Sequence, residues 1–98
     1  MIRVEYSLSA EDDIRAIYNW IADAADADTA KADVQRIRDC CDHLANFPNR
    51  GTSRNELASG LRTLGFERRA VIAYQVDGAV RILRVLHKGR DLGREFSP

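Results

Sequence analysis

Arg62, Arg84, His87, Arg90 and Asp91 are the side chains of this sequence whose types best suit work on an anionic group. Four of them fall in the single run Arg84-Val85-Leu86-His87-Lys88-Gly89-Arg90-Asp91. Guanidinium groups hold anions through forked, charge-assisted hydrogen bonds, and an unperturbed imidazole titrates near neutrality. Cleaving a phosphodiester without a metal requires a base, a cation for the charge that builds at phosphorus, and an acid for the leaving oxygen. Arg62, Arg84 and His87 could supply the cation and one acid–base group, with Arg90 just beyond. A plainer reading stands beside this one. Arg84 or Arg90 paired with Asp91 would fix the end of a strand, His87 would be a hydrogen-bonded scaffold residue, and Arg62 would sit on the polar face of its strand. All five are therefore candidates for binding a partner, and Arg62, Arg84 and His87 become catalytic candidates only if a phosphodiester is cut.

Charge points the same way but does not decide. Fifteen basic and fifteen acidic residues cancel over the 98 residues. Residues 1–49 nevertheless carry five basic and ten acidic side chains, and residues 50–98 carry ten basic and five acidic. Such a split fits either an acidic or polyanionic partner for the second half or pairing between the halves. The two cysteines, Cys40 and Cys41, are adjacent, and neighbours on a helix point about 100° apart, which strains any disulfide between them. With only His43 nearby they form no metal-ligand spacing, so neither metal nor cofactor is expected. Reduced thiols, the absence of a long apolar run and a start that leads directly into a strand pattern together suggest a cytoplasmic protein without a membrane span.

The elements that must position the candidates can be read from periodicity. Ile2, Val4 and Tyr6 alternate with polar residues as a short strand. Ser9, with Asp12 three residues later, is the expected cap of a first helix from about Ala10 to Ala25, with Leu8 stapled onto its first turn. Ile14, Ile17, Tyr18, Ile21 and Ala25 form its apolar stripe, and Trp20 is expected in the core. After a break at Asp26 to Thr29, the seam Ala30, Val34, Ile37, Cys41 and Leu44 predicts a second helix packed antiparallel on the first and stopped by Pro48. Asn49 to Gly60 reads as loop with one turn around Asn55 to Ala58. Leu61–Phe66, Ala70–Val76 and Ala79–His87 read as strands, the last two joined at Asp77-Gly78. Arg68 and Arg69 fall at the other hairpin turn, as solvated charges. The expected architecture is one α+β domain over residues 1–98, in the order β-α-α-β-β-β. A helical hairpin covers one face of a mostly antiparallel sheet, and the first strand joins that sheet at its edge or centre. The open face is expected to carry Arg62, Arg84 and His87.

Several runs resemble one family. Gly60-Leu61-Arg62-Thr63-Leu64, Val71-Ile72-Ala73-Tyr74-Gln75-Val76 and Ile82-Leu83-Arg84-Val85-Leu86-His87-Lys88-Gly89-Arg90-Asp91 resemble the C-terminal signature of ParE-type toxins. Ser9 through Ile21 and Leu44-Ala45-Asn46-Phe47-Pro48-Asn49-Arg50-Gly51 resemble that family's first helix and its exit from the second. The likeness spans nearly the whole chain, with its parts in order. It implies the RelE/ParE fold, which is the β-α-α-β-β-β order already read from the pattern.

The resemblance also implies a toxin of a type II toxin–antitoxin system, tied to growth inhibition and plasmid stabilisation. Within that superfamily, ParE-like members are regarded as inhibitors of DNA gyrase, and RelE-like members as ribosome-dependent endoribonucleases that cut messenger RNA. The chain has only Lys31 and Lys88 as lysines and no tyrosine after Tyr74, whereas RelE-like sites tend to be rich in lysine and often need a late Tyr or His. The favoured expectation is a gyrase inhibitor, with the metal-independent nuclease as the alternative and a non-toxic binding module as a third possibility. The implied partners are a ParD-like antitoxin in a hetero-oligomer and DNA gyrase as target, with operator DNA reached only through the antitoxin.

Overall fold

The short alternation at the N-terminus needs a neighbouring strand to satisfy its backbone, and it finds one at the far end of the sequence. A computed structural model describes residues 2–87 of the protein; Arg90 and Asp91 lie outside the described residues. The elements are β1 (Val4–Tyr6), α1 (Leu8–Ala24), α2 (Ala27–His43), β2 (Thr52–Ser53), β3 (Arg62–Phe66), β4 (Ala70–Val76) and β5 (Val80–His87). The strands form one sheet in the order β1-β5-β4-β3-β2. β1 lies at an edge and runs parallel to β5, with Val4 beside Val80 and Tyr6 beside Ile82, while the other neighbours are antiparallel. The sheet is therefore mixed, as an α+β fold of this order allows. The segment expected as loop with one turn around Asn55 to Ala58 has that turn, closed by the Leu57 and Ala58 amides on the Arg54 carbonyl, and also contributes the two-residue strand β2, which extends the sheet beyond β3.

The first helix is capped earlier than its sequence suggests. Ser7, not Ser9, is the cap: its hydroxyl accepts from the Ala10 amide at 2.9 Å and donates to the Leu83 carbonyl at 2.7 Å. A capping box weighs only local bonds, whereas Ser7 satisfies a helix end and a strand edge together, and that double use decides the position. Helix α1 thus starts at Leu8, which is 86% exposed and does not form the expected staple. Its buried face is Ala10, Ile14, Ile17 and Ile21. Trp20, expected inside, is 58% exposed on the helix flank, because Ile17 and Ile21 already fill the inward positions. Asp26 caps α2 by accepting from the Thr29 amide at 2.7 Å. The inward face of α2 is Ala30, Asp33, Ile37 and Cys41, so a carboxylate takes the place expected for Val34, which is only half-buried.

Cross-strand pairs share a face, which fixes what the helices cover. Phe66, Ala70, Ile72, Tyr74, Val80, Ile82 and Val85 point to the helical layer and build the core with Ile14, Ile17, Ile21, Ile37 and Leu44. β5 carries an irregularity: Ala73 faces Arg84 while Tyr74 faces Ile82, so Leu83 is one extra residue. After this bulge Val85 and His87 return to the helix side. The two hairpin turns differ in chemistry. Gly78 takes φ +67° without penalty, but in the β3–β4 turn Glu67 and Arg68 stand at φ 48° and 59°. Each such residue costs about 1–2 kcal/mol unless its side chain is compensated.

Exit from α2 is held by Tyr74 and Arg62. The Tyr74 hydroxyl donates to the Pro48 carbonyl at 2.8 Å and accepts from the Gly51 amide at 2.9 Å. Arg62 Nη2 donates to the carbonyls of Asn49 and Gly51 at 2.9 and 2.8 Å. A Cβ on Gly51 would stand 2.7 Å from both the Thr63 carbonyl oxygen and the Tyr74 hydroxyl. Gly51→Ala is therefore expected to displace this buried bond set and to cost more than Tyr74→Phe, which leaves an amide and a carbonyl unpaired at about 1–3 kcal/mol. Thermal melts should show the tyrosine change lowering Tm by at least about 4 °C, and the glycine change by more.

Candidate functional site

The three catalytic candidates are not brought together. Arg62 lies on the helix side of β3, paired across to Tyr74, with its guanidinium on the loop carbonyls just described and its Nε buried without a partner. His87 also lies on the helix side, paired across to Ala70, rather than on the open face where it was expected. Tyr74 and Ala70 are four residues apart on β4, so Arg62 and His87 are separated by about 13 Å along the strands. Arg84 alone of the three has its pairing partner, Ala73, on the opposite face. Its guanidinium passes the strand edge to Asp13 of α1, with Nε and Nη2 at 2.7 and 3.0 Å from the carboxylate.

Asp13 is the hub of this corner. Beyond Ile82 no strand pairs with the β1 side of β5 among the described residues. The groups left over are taken by α1: Ser7 Oγ holds the Leu83 carbonyl, and Asp13 accepts from the Val85 amide at 2.9 Å as well as from Arg84. Both partners of the pair are mostly buried, with side-chain exposures of 15% and 22%. Arg84 and Asp13 thus form an ion pair between sheet and helix; the Arg84–Asp91 alternative lies outside the described residues.

His87 stands against Trp20, ring centroids 4.6 Å apart and tilted by 60°. On one side of this pair a hollow of about 180 Å³ is lined by Asp13, Ala16, Ile17 and Val85. On the other side a narrow gap of about 30 Å³ lies among Ile17, Ile21, Ile37, Phe66 and Ala70, rimmed by Asp33 and Arg69. An exposed tryptophan between two hollows is the kind of residue that anchors a protein partner. The sequence contained the signal only in part: Trp20 falls outside the strict helical stripe of Ile14, Ile17 and Ile21. A wider surface dish along Phe47, Pro48, Asn49 and Arg50 lies at the exit of α2 and contains none of the predicted site residues.

A second charged cluster was missed. Arg69, expected to be solvated, makes two bonds to the buried Asp33, at 2.8 and 3.1 Å, and one to Glu67 at 3.0 Å. Arg36 binds the same two carboxylates, Asp33 at 2.7 Å and Glu67 through both ends of its guanidinium. Both guanidinium groups lie over the Phe66 ring, at 5.8 and 5.9 Å from its centre. The arginines hold these carboxyls down, Arg69 acting chiefly on Asp33 and Arg36 chiefly on Glu67. Arg38 does the same for Glu11 while lying 5.0 Å over the Tyr6 ring. The cysteines are poor nucleophiles: burial raises the Cys40 thiol and pushes Cys41 up to about 12. Among the described residues no group of His, Cys, Asp and Glu could hold a metal ion, and no helix is long and apolar enough to cross a membrane.

Comparison with known proteins agrees with the fold. A family model described as the ParE toxin of the type II toxin–antitoxin system parDE matches residues 4–92. A solved structure described as a chromosomal ParDE TA system from P. aeruginosa superposes with a TM-score of 0.79 at 27% identity, covering 90% of this chain and 97% of that one. No curated protein matches the chain.

Two outcomes test this account of the corner and the cluster. Asp13→Ala removes two bonds from Arg84 and leaves the Val85 amide without its acceptor, and is expected to cost about 2–4 kcal/mol. Arg84→Met leaves the Asp13–Val85 bond in place and should cost about half as much, read from urea midpoints. Acid should act late. Glu11, Asp26, Asp33 and Glu67 all have folded pKa values below the ordinary 4.5 and 3.8. In that range the unfolded chain binds more protons, so stability rises with pH there and is lost as pH falls through the depressed values. The urea midpoint should change little between about pH 7 and about pH 5 and fall between about pH 5 and about pH 3.

Proposed function

The chain belongs to the ParE toxin family of type II toxin–antitoxin systems, and we propose that it acts by binding and inhibiting DNA gyrase, with a ParD-like antitoxin holding it inactive. The observation that carries this reading is how the candidate side chains are used. Metal-free cleavage of RNA needs base, cation and acid within reach of one phosphate. Arg62 spends its guanidinium on loop carbonyls, His87 lies about four residues' rise away against Trp20, and Arg84 is engaged by Asp13. That distribution supports a toxin that works by contact rather than by chemistry.

The partner reading rests on the family and on the similar ParDE structure. An antitoxin segment that folds on contact could use both the basic second half and the apolar surface of the helical hairpin. Arg62, Arg84 and His87, with Arg90 and Asp91, are the side chains proposed to contribute to binding, through the local shape and charge they set. Contact with operator DNA would then come only through the antitoxin. The site of action, with its reduced cysteines, would be the cytoplasm.

The deciding test pairs a supercoiling assay on purified gyrase with a translation assay on ribosomes, using toxin freed of antitoxin. Loss of supercoiling, or accumulation of cleaved DNA, with intact messenger RNA is the expected result. Ribosome-dependent cutting of messenger RNA with gyrase unaffected would replace this reading with the nuclease. His87→Ala is expected to weaken gyrase inhibition without abolishing it, whereas loss of a catalytic acid would cost about a hundredfold or more. Melting each variant beside its assay separates lost binding from lost fold. Absence of binding to the neighbouring gene's product would remove the antitoxin part of the proposal.

A further inference from the structure

Three features meet at one end of the molecule. The first is the closed ring of charges formed by Asp33 and Arg36 on α2 with Glu67 and Arg69 in the β3–β4 turn. The second is the turn itself, where Glu67 and Arg68 hold left-handed backbone angles that suit glycine or asparagine. The third is the gap of about 30 Å³ directly beneath, walled by Ile17 and Ile21 of α1, Ile37 of α2, Phe66, Ala70 and His87. A strained turn persists only where its surroundings over-determine it, and here the surroundings are the two arginines that grip Glu67. A gap at the meeting of helix and sheet forfeits dispersion contacts that would otherwise resist separation. The strain and the gap both favour parting of turn and helix, and the charge ring opposes it.

We propose that the Asp33–Arg36–Glu67–Arg69 ring is an electrostatic strap that holds shut an apolar cleft between the helical hairpin and the β3–β4 end of the sheet. Released, the turn relaxes its backbone and swings from α2, and the gap becomes a cleft open to a small apolar group. Unfolding of the remaining sheet is not required, because β4 and β5 stay paired along their whole length. Among the described residues, the charged and titratable groups facing the strap are its own four members, His87 from β5 across the gap, and Cys40 beside Glu67. Both arginines and Glu67 are nearly half-exposed at the side chain, so dissolved salt reaches the strap, while Asp33 at 8% is shielded.

The test uses native-state hydrogen exchange on the full chain, with xenon as an apolar probe followed through isoleucine methyl shifts. Arg69→Met removes one charge, keeps an aliphatic chain beside Phe66 and leaves Asp33 its bond from Arg36. It is expected to speed exchange of amides at positions 33–37 and 66–70 by about tenfold or more relative to those of Ile72 and Val85. Xenon should then shift the methyls of Ile17, Ile21 and Ile37 in this variant more than in the native chain. Arg68→Gly, which relieves the strained backbone while keeping the ring, is expected to slow the same opening. Raising salt from about 0.05 M to about 1 M on the native chain should reproduce the selective speeding without any substitution, so the result stands even if a variant does not fold. Equal acceleration of every amide, no selective effect of salt, or no xenon response at the three isoleucines would each overturn the strap.

Discussion

A strand that ends up between two neighbours has no loose backbone, but β5 has its parallel neighbour for only part of its length. β1 stops at Tyr6, opposite Ile82, and among the described residues the amide and carbonyl groups beyond are satisfied by something other than a strand. Helix α1 does it, with Ser7 on the Leu83 carbonyl and Asp13 on the Val85 amide. This closes the sheet edge and at once fixes where the helix begins, which face it turns inward and how Arg84 is oriented. The bulge at Leu83 belongs to the same solution, since it turns Val85 and His87 toward the helices. A sheet edge that would otherwise invite pairing with another chain is covered from within.

What the sequence made legible were features governed by local periodicity. The helical stripe Ile14, Ile17, Ile21, the strand Ala70–Val76 and the turn at Asp77-Gly78 each follow from spacing and turn chemistry, and each is present. What it concealed depended on register. One extra residue at Leu83 reverses the alternation of faces, so the sides on which Arg84 and His87 lie cannot be read by counting along β5. Arg62 was placed on the polar side because its apolar neighbour Leu61 looked like core, and Leu61 is indeed fully buried, but on the other face. The cap at Ser7 was hidden for a related reason: its second bond is to a residue 76 positions away. The family resemblance was visible because it lies in the succession of elements, which survives such local shifts.

The opposite charges of the two halves find part of their explanation inside the fold. Asp13 with Arg84, Asp33 with Arg69 and Glu5 with Arg81 each join an acidic residue of the first half to a basic residue of the second. The first is largely withdrawn from water and the second sets a half-exposed Arg69 on a buried Asp33, so both position elements, whereas the Glu5–Arg81 pair is exposed at both ends and contributes little. The split is therefore partly a record of how helices and sheet are fastened. Charges that make no ion pair among the described residues, such as Arg50 and Arg68, are what a partner would meet. Binding by such a surface depends on shape held in place by the internal pairs, which links the stability of the corner to any inhibitory contact it makes.

Trp20 is the chain's single tryptophan, and it stands at the surface with an imidazole against its ring. Its emission therefore begins close to that of a solvated indole and reports what lies against its ring on that flank more directly than the packing of the interior. An unfolding curve followed by this fluorophore would carry a small signal, while the core built on Tyr74, Ile72 and Leu44 melted unseen. The same optical blindness to the interior makes the residue a clean reporter of whatever settles on that flank.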